Sequence, residues 1–178
     1  PWPASNKQPS NQFSTPSSWG DGMFHGRRRC RPFNGEFTVK PVKVGICGLG
    51  TVGGGTFNVL QRNAEEIARR AGRGIEVAQI AMRSPNPNCQ ITGTPITADV
   101  FDVASNPEID IVIELIGGYT IARDLVLKAI ENGKHVVTAN KALIAVHGNE
   151  IFAKAREKGV IVAFEAAVAG GIPVIKAI

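Results

Sequence analysis

Cysteine is scarce in this chain: Cys30, Cys47 and Cys89 are the only three in 178 residues, and no two form a Cys-x-x-Cys pair. That excludes a disulfide framework and a zinc site legible from spacing, and it suits a reducing compartment. Histidine is equally sparse, and His25, His135 and His147 offer no pair at ligand spacing. Aromatic residues make up 6% and charged residues 20%, against 43% hydrophobic, which is a globular rather than a disordered composition. No apolar run is long enough for a membrane-spanning helix. The basic residues near the start are not followed by the apolar core of a secretory signal, so the expected location is cytoplasmic. On length alone the chain holds one domain with a tail.

An excess of one charge sign is also missing once the chain is divided. Residues 1–41 carry six basic side chains (Lys7, Arg27, Arg28, Arg29, Arg31, Lys40) against Asp21 and Glu36, while residues 42–178 carry fourteen basic and thirteen acidic. The formal net charge of +5 therefore arises mostly in the leading segment, and the body carries no electrostatic footprint for nucleic acid or a membrane surface. Residues 1–40 read as a disordered leader of Pro, Ser, Asn, Gln and Arg, without helical or strand periodicity. The run Arg27–Arg31 reads as a solvated charge cluster. The chain opens on Pro1 and stops at Ile178 inside an apolar run, so an incomplete reading frame is expected, with Met23 as one internal start.

From Pro41 the pattern sharpens. Val42–Cys47 (VKVGIC) and Ile75–Ala81 (IEVAQIA) read as strands, and Thr51–Ala71 reads as a helix stopped by Gly72 and Gly74. Residues 84–98 read as a loop with a short strand, and Asp99–Ser105 as a weak helix. Asp110–Ile116 is almost continuously apolar, as for a strand covered on both faces. Then follow a helix over Thr120–Asn132, a strand His135–Thr138, a helix over Ala142–Lys158 interrupted near Gly148, and a strand Val160–Glu165. Alternating strands and helices with apolar strands predict an α/β fold, a doubly wound parallel sheet with right-handed crossovers.

Gly48-Leu49-Gly50-Thr51-Val52-Gly53 is a G-x-G-x-x-G element placed after the first strand and at the start of the first helix. That context makes it a dinucleotide fingerprint: Gly48 for the tight turn, Gly50 for the approach of a diphosphate, Gly53 for close helix–sheet packing. Phosphates would lie on the free N–H groups of the helix N-terminus. Gly54 and Gly55 read as looseness in the first turn. The second strand ends Ala81-Met82-Arg83-Ser84 without the carboxylate that usually holds ribose hydroxyls. Arg83 is either a partner for a 2′-phosphate, which points toward NADP, or an ordinary exposed arginine.

Two further strand ends face the same crevice. Ile116 and Gly117-Gly118 would let a cofactor approach the backbone. Thr138-Ala139-Asn140-Lys141 places a lysine where it can reach a nicotinamide and its substrate, although position alone also suits a surface lysine. Glu165, followed by small residues, reads alone as a strand-to-helix turn with Pro173 opening a new helix. A carboxylate beside accessible carbonyls can also hold a hard cation. Cys47 reads as a small buried apolar residue.

Taken together, VKVGICGLGTVGGG, IVIELIGG, HVVTANKALIAVHG and FEAAVAGGIPVI resemble homoserine dehydrogenase over residues 41–178. The resemblance implies NAD(P)H-dependent interconversion of L-aspartate 4-semialdehyde and L-homoserine, on the route to threonine, methionine and isoleucine. It implies cofactor contacts from Leu49, Thr51, Val52 and Lys141, with Lys141 between cofactor and substrate in proton transfer. It implies a sodium-type ion held by Glu165 and the carbonyls of Val168, Gly170 and Ile172. The expected organisation is a leader over 1–40, an NAD(P)-binding Rossmann domain over 41–170, and the start of a substrate domain over 171–178. Homo-oligomerisation is expected of the whole protein. A stand-alone dinucleotide-sensing domain without catalysis is the competing reading, and it needs neither Lys141 nor the segment after Glu165.

Overall fold

A computed structural model of the chain describes residues 39–168 together with Gly170 and Ile172. The leader expected over 1–40 therefore lies almost wholly outside the described residues, as does most of 171–178.

The fold is a single parallel sheet with helices on both faces. Its elements run β1 (Val42–Cys47), α1 (Thr51–Arg62), α2 (Ala64–Ala71), β2 (Ile75–Ala81), β3 (Ile96–Thr97), α3 (Val100–Ser105), β4 (Ile111–Glu114), α4 (Thr120–Glu131), β5 (His135–Thr138), α5 (Lys141–Lys158) and β6 (Val162–Ala163), then a 3₁₀ turn over Glu165–Ala167. The strand order is β3-β2-β1-β4-β5-β6, all neighbours parallel. Side chains alternate across each strand, so two cores form. Val44, Ile46, Ile80 and Ile113 join Leu49 and Phe57 on the α1 face. Cys47, Val112 and Val136 meet Val103, Leu125, Ile130, Leu143 and Ile151 on the face covered by α3, α4 and α5. The order changes direction between β1 and β4, so the ends of β1, β4 and β5 share one crevice.

Four expectations need correction. The helix expected over Thr51–Ala71 divides at Asn63, whose backbone (φ −108°, ψ 21°) leaves the helical region. The break is minimal, because the Asn63 amide still donates to Val59 O and its carbonyl accepts from Ile67 N. The strand expected over Asp110–Ile116 is shorter at both ends. Asp110 Oδ2 accepts from the Lys43 amide at 2.8 Å, and past Glu114 the Ile116 and Gly117 amides turn back onto the Glu114 carboxylate. The helix of Ala142–Lys158 begins at Lys141 and is not interrupted at Gly148, which is buried where a Cβ would stand 3.4 Å from the Phe152 ring. The last strand contracts from Val160–Glu165 to two residues. The Val160 amide returns to Ala155 O and the Ile161 amide is taken by His135 Nδ1, so neither amide joins the ladder, although Ile161 O accepts from the Val136 amide at 2.9 Å.

Candidate dinucleotide site

The glycine turn sorts its glycines by physical need. Gly48 has φ 94°, and a Cβ there would stand 2.6 Å from Leu115 O. Its amide donates to Ala81 O at 2.8 Å, so the turn is sewn to the neighbouring strand. At Gly53 a Cβ would lie 1.9 Å from Gly48 O, so α1 can cross the turn this closely only without a side chain. Gly50 differs from both: it is exposed, and a Cβ would meet nothing within 4 Å. It stands at the N-cap of α1 with no side-chain cap, and the first turn of the helix holds no acidic residue. An uncapped helix start with open space in front of it is the arrangement a diphosphate requires. Thr51 and Val52 are exposed at the same lip, whereas the Leu49 side chain is in the core, leaving only its backbone for a ligand.

Gly54 corrects an expectation. It does not loosen the first turn: a Cβ there would fall 2.5 Å from Asn86 Nδ2 and 2.9 Å from Cys89 Sγ. The loop after β2 folds back on the glycine turn, and Asn86 Nδ2 donates to the carbonyls of Leu49 (2.9 Å) and Gly50 (3.1 Å). Sequence reasoning missed Asn86, because Ser84-Pro85-Asn86-Pro87-Asn88 signals only a turn and nothing in it says what the turn covers. Arg83 is exposed just beyond β2.

The ends of β4 and β5 are joined by a buried polar network, also missed from the sequence. Glu114 is fully buried. Its Oε2 accepts from Thr138 Oγ1 at 2.6 Å, and its Oε1 from the amides of Ile116 (3.0 Å) and Gly117 (3.3 Å) and from Asn140 Nδ2 (3.4 Å). Asn140 Nδ2 also donates to Gly118 O, and Asn140 Oδ1 caps α5 by accepting from the Leu143 amide at 3.1 Å. Gly117 and Gly118 are exposed with φ 73° and 68°. Lys141, the first residue of α5, is exposed directly after this cap. A run such as Asp110–Ile116 reads as core packing, and its one carboxylate gives no hint of which backbone it serves.

Cys47 is buried beneath the turn with Sγ 3.9 Å from Val100 O. Burial, and then the charge of Glu114, push its thiol up from 9.0 to about 12. Native-state alkylation at pH 8 is therefore expected to modify the half-buried Cys89 and spare Cys47, with both reacting in denaturant. Equal native rates would contradict this. The sign of the linked pH effect follows: the folded state keeps a proton that the unfolded thiol loses, so this contribution to stability declines as pH rises from 9.0 toward about 12.

The expected cation ligands lie at the edge of the described residues. Glu165 is exposed in the 3₁₀ turn, its carbonyl accepts from the Val168 amide at 3.0 Å, and Ala169 and Gly171 lie outside the described residues. No group of three or more His, Cys, Asp and Glu side chains that could hold a metal ion occurs among the described residues. His135 and His147 have structural partners, the Ile161 amide and the Tyr119 ring respectively.

A six-stranded parallel sheet in the order 3-2-1-4-5-6, with a glycine turn leading from its first strand into an uncapped helix, defines a Rossmann dinucleotide-binding domain. Residues 48–165 match the family model described as "Homoserine dehydrogenase, NAD binding domain". The chain belongs to the homoserine dehydrogenase family. It is 89% identical over 140 residues to the homoserine dehydrogenase of Pseudomonas aeruginosa, covering 79% of this chain and 32% of that protein. It is 54% identical over 141 residues to that of Neisseria gonorrhoeae, again covering 79% and 32%. The crystal structure of a homoserine dehydrogenase from Thiobacillus denitrificans superposes with a TM-score of 0.73 at 63% identity, covering 78% of this chain and 32% of that one. The chain thus spans about a third of the length of the curated relatives it matches.

Proposed function

We propose that this chain is the cofactor-binding part of an oxidoreductase that interconverts L-aspartate 4-semialdehyde and L-homoserine with NAD(P)H. The observation that carries the reading is the open, uncapped start of α1 at Gly50, set beside the strand ends that carry Gly117 and Lys141. Reduction of an aldehyde needs a hydride, which a bound nicotinamide supplies, and a proton for the developing alkoxide. The backbone of Gly48–Gly53 binds and orients the diphosphate; Ile116 and Gly117 give the cofactor access to backbone at the end of β4. Lys141 Nζ stabilises the alkoxide and donates the proton. Exposed Lys141 favours this over a domain that only senses the dinucleotide, which would have no use for an ammonium there.

The same reading places the protein in the cytoplasm, in the formation of threonine, methionine and isoleucine, and as a homo-oligomer when whole. Glu165 with the Val168, Gly170 and Ile172 carbonyls is an all-oxygen donor set, which fits a hard monovalent cation such as sodium. The proposed domain limits are 1–40, 41–170 and 171–178.

The direct test is a titration and an assay of the 178-residue chain. It is expected to bind NAD(P) weakly and to leave homoserine unoxidised, because the chain spans only about a third of the length of the relatives it matches. Turnover by this chain would refute that division of labour.

Arg83 provides a second test. In the full-length protein Arg83→Asp is expected to weaken NADP(H) by roughly 1.5–3 kcal/mol, the worth of a charged hydrogen bond, and to leave NAD(H) nearly unchanged. Equal losses on both cofactors would make Arg83 structural.

A further inference from the structure

The Glu114 network has a purpose that sheet packing does not require. An apolar residue at the end of β4 would complete the core as Val112 and Ile113 do. Instead Glu114 is the one fully buried carboxylate among the described residues. Burying a carboxylate is costly unless its oxygens are met by donors. Here every donor comes from the two segments that line the crevice: the amides of Ile116 and Gly117 after β4, and Thr138 Oγ1 and Asn140 Nδ2 after β5. Four donors converge on a group that only accepts, and no buried side-chain polar atom is left without a partner among the described residues. Thr138 Oγ1 in turn accepts from the Asn140 amide at 3.0 Å, so the backbone just before Lys141 is fixed twice.

We infer that Glu114 is a positioning residue: through Thr138 and Asn140 it locks the start of α5 to the Gly117-Gly118 turn, and so fixes where Lys141 stands relative to the cofactor. This inference rests on the proposed role of Lys141. Asn140 has two separable functions. Its Oδ1 caps α5, while its Nδ2 reaches Glu114 and the Gly118 carbonyl. The cap alone would start the helix, and the amide links that start to the neighbouring strand end.

Two variants of the full-length protein test this. Glu114→Gln keeps the shape and replaces an acceptor oxygen by a donor. Asn140→Ser keeps a good helix cap and deletes the amide. Each is expected to lower turnover by about 10–10²-fold, the scale of a misplacement near 1 Å, while the dinucleotide Kd changes by less than about threefold. Introduced into Lys141→Ala, neither is expected to lower turnover further, because the group being positioned is gone. Amide hydrogen exchange in the isolated chain gives a readout independent of turnover. The bonded amides of the two segments, Ile116 and Gly117 in one and Leu143 in the other, are expected to exchange together about tenfold faster in both variants, as for the loss of one hydrogen bond.

Turnover within twofold of the parent, a full loss persisting in the Lys141→Ala background, a matching loss of dinucleotide affinity, or unchanged exchange in both segments would each overturn the inference. Asn140→Ser decides the question if Glu114→Gln does not fold. A parent protein that binds dinucleotide but reduces no aldehyde would defeat the functional reading instead, and the exchange measurement would still report on the lock.

Discussion

Lys141→Ala in the full-length protein is expected to cut turnover by roughly 10²–10⁴-fold, the range of a lost general acid–base group. The fold should be untouched. Lys141 is exposed, the helix it begins is capped by Asn140 rather than by itself, and exposed substitutions of this kind stay within about 0.5 kcal/mol. Alanine is also the best helix former for the position. Lys141→Arg should not restore activity, because a guanidinium keeps its proton near neutral pH. Steady-state assays beside a thermal melt and a dinucleotide titration check all three statements. Near-normal turnover in Lys141→Ala would remove this lysine from the chemistry.

Gly53→Ala should be the most damaging single-methyl change in the described structure. The added Cβ would stand 1.9 Å from the Gly48 carbonyl oxygen, a backbone atom of a turn already fixed to β2 and to the Leu115 segment. Relief requires α1 and the turn to separate, with an overpacking cost of roughly 1–3 kcal/mol or more. Because the separated turn is also the proposed diphosphate site, dinucleotide affinity is expected to fall at least about 10²-fold, equivalent to about 2.7 kcal/mol. Gly55→Ala, two residues along the same helix, is the control. Gly55 is exposed and a Cβ there meets nothing within 4 Å, so alanine should stabilise the chain by about 0.5–1 kcal/mol and leave binding alone. Comparable losses from both substitutions would mean that helix content, not close packing, explains the glycines.

These glycines also mark how far the sequence could be read. Gly48 and Gly53 were legible because their roles belong to a local turn, and local geometry is written in neighbouring residues. The strands Val42–Cys47, Ile75–Ala81 and His135–Thr138 were legible for the same reason, each a β-branched run with sharp ends. Gly54 was misread because its neighbours, Asn86 and Cys89, are more than thirty positions away and arrive only when the loop folds back. Glu114 and Asn140 escaped for a related reason. The bonds that join them and Thr138 cross between the ends of adjacent strands, up to 26 positions apart, and no periodicity announces a hydrogen bond across a sheet. The last strand was overestimated because Val160 and Ile161 have strand-like side chains while their amides are claimed by Ala155 and His135. The expected cation ligands remain a proposal carried by the family resemblance and their donor chemistry.

The position of β1 at the middle of the sheet has a consequence in time. Its two neighbours come from later sequence, and the Lys43 carbonyl at the start of the edge toward β4 accepts from the amide of Asp110, 67 positions downstream. At an elongation rate of about 5–20 residues per second, a ribosome needs roughly 3–13 s to deliver that partner after Lys43 has been made. Through that interval β1 and β2 can pair, but the other side of β1 presents unsatisfied backbone groups, an invitation to intermolecular strand addition. Nascent chains paused before β4 should therefore be the aggregation-prone species, and the vulnerable moment in this protein's life comes before its binding crevice has a second wall.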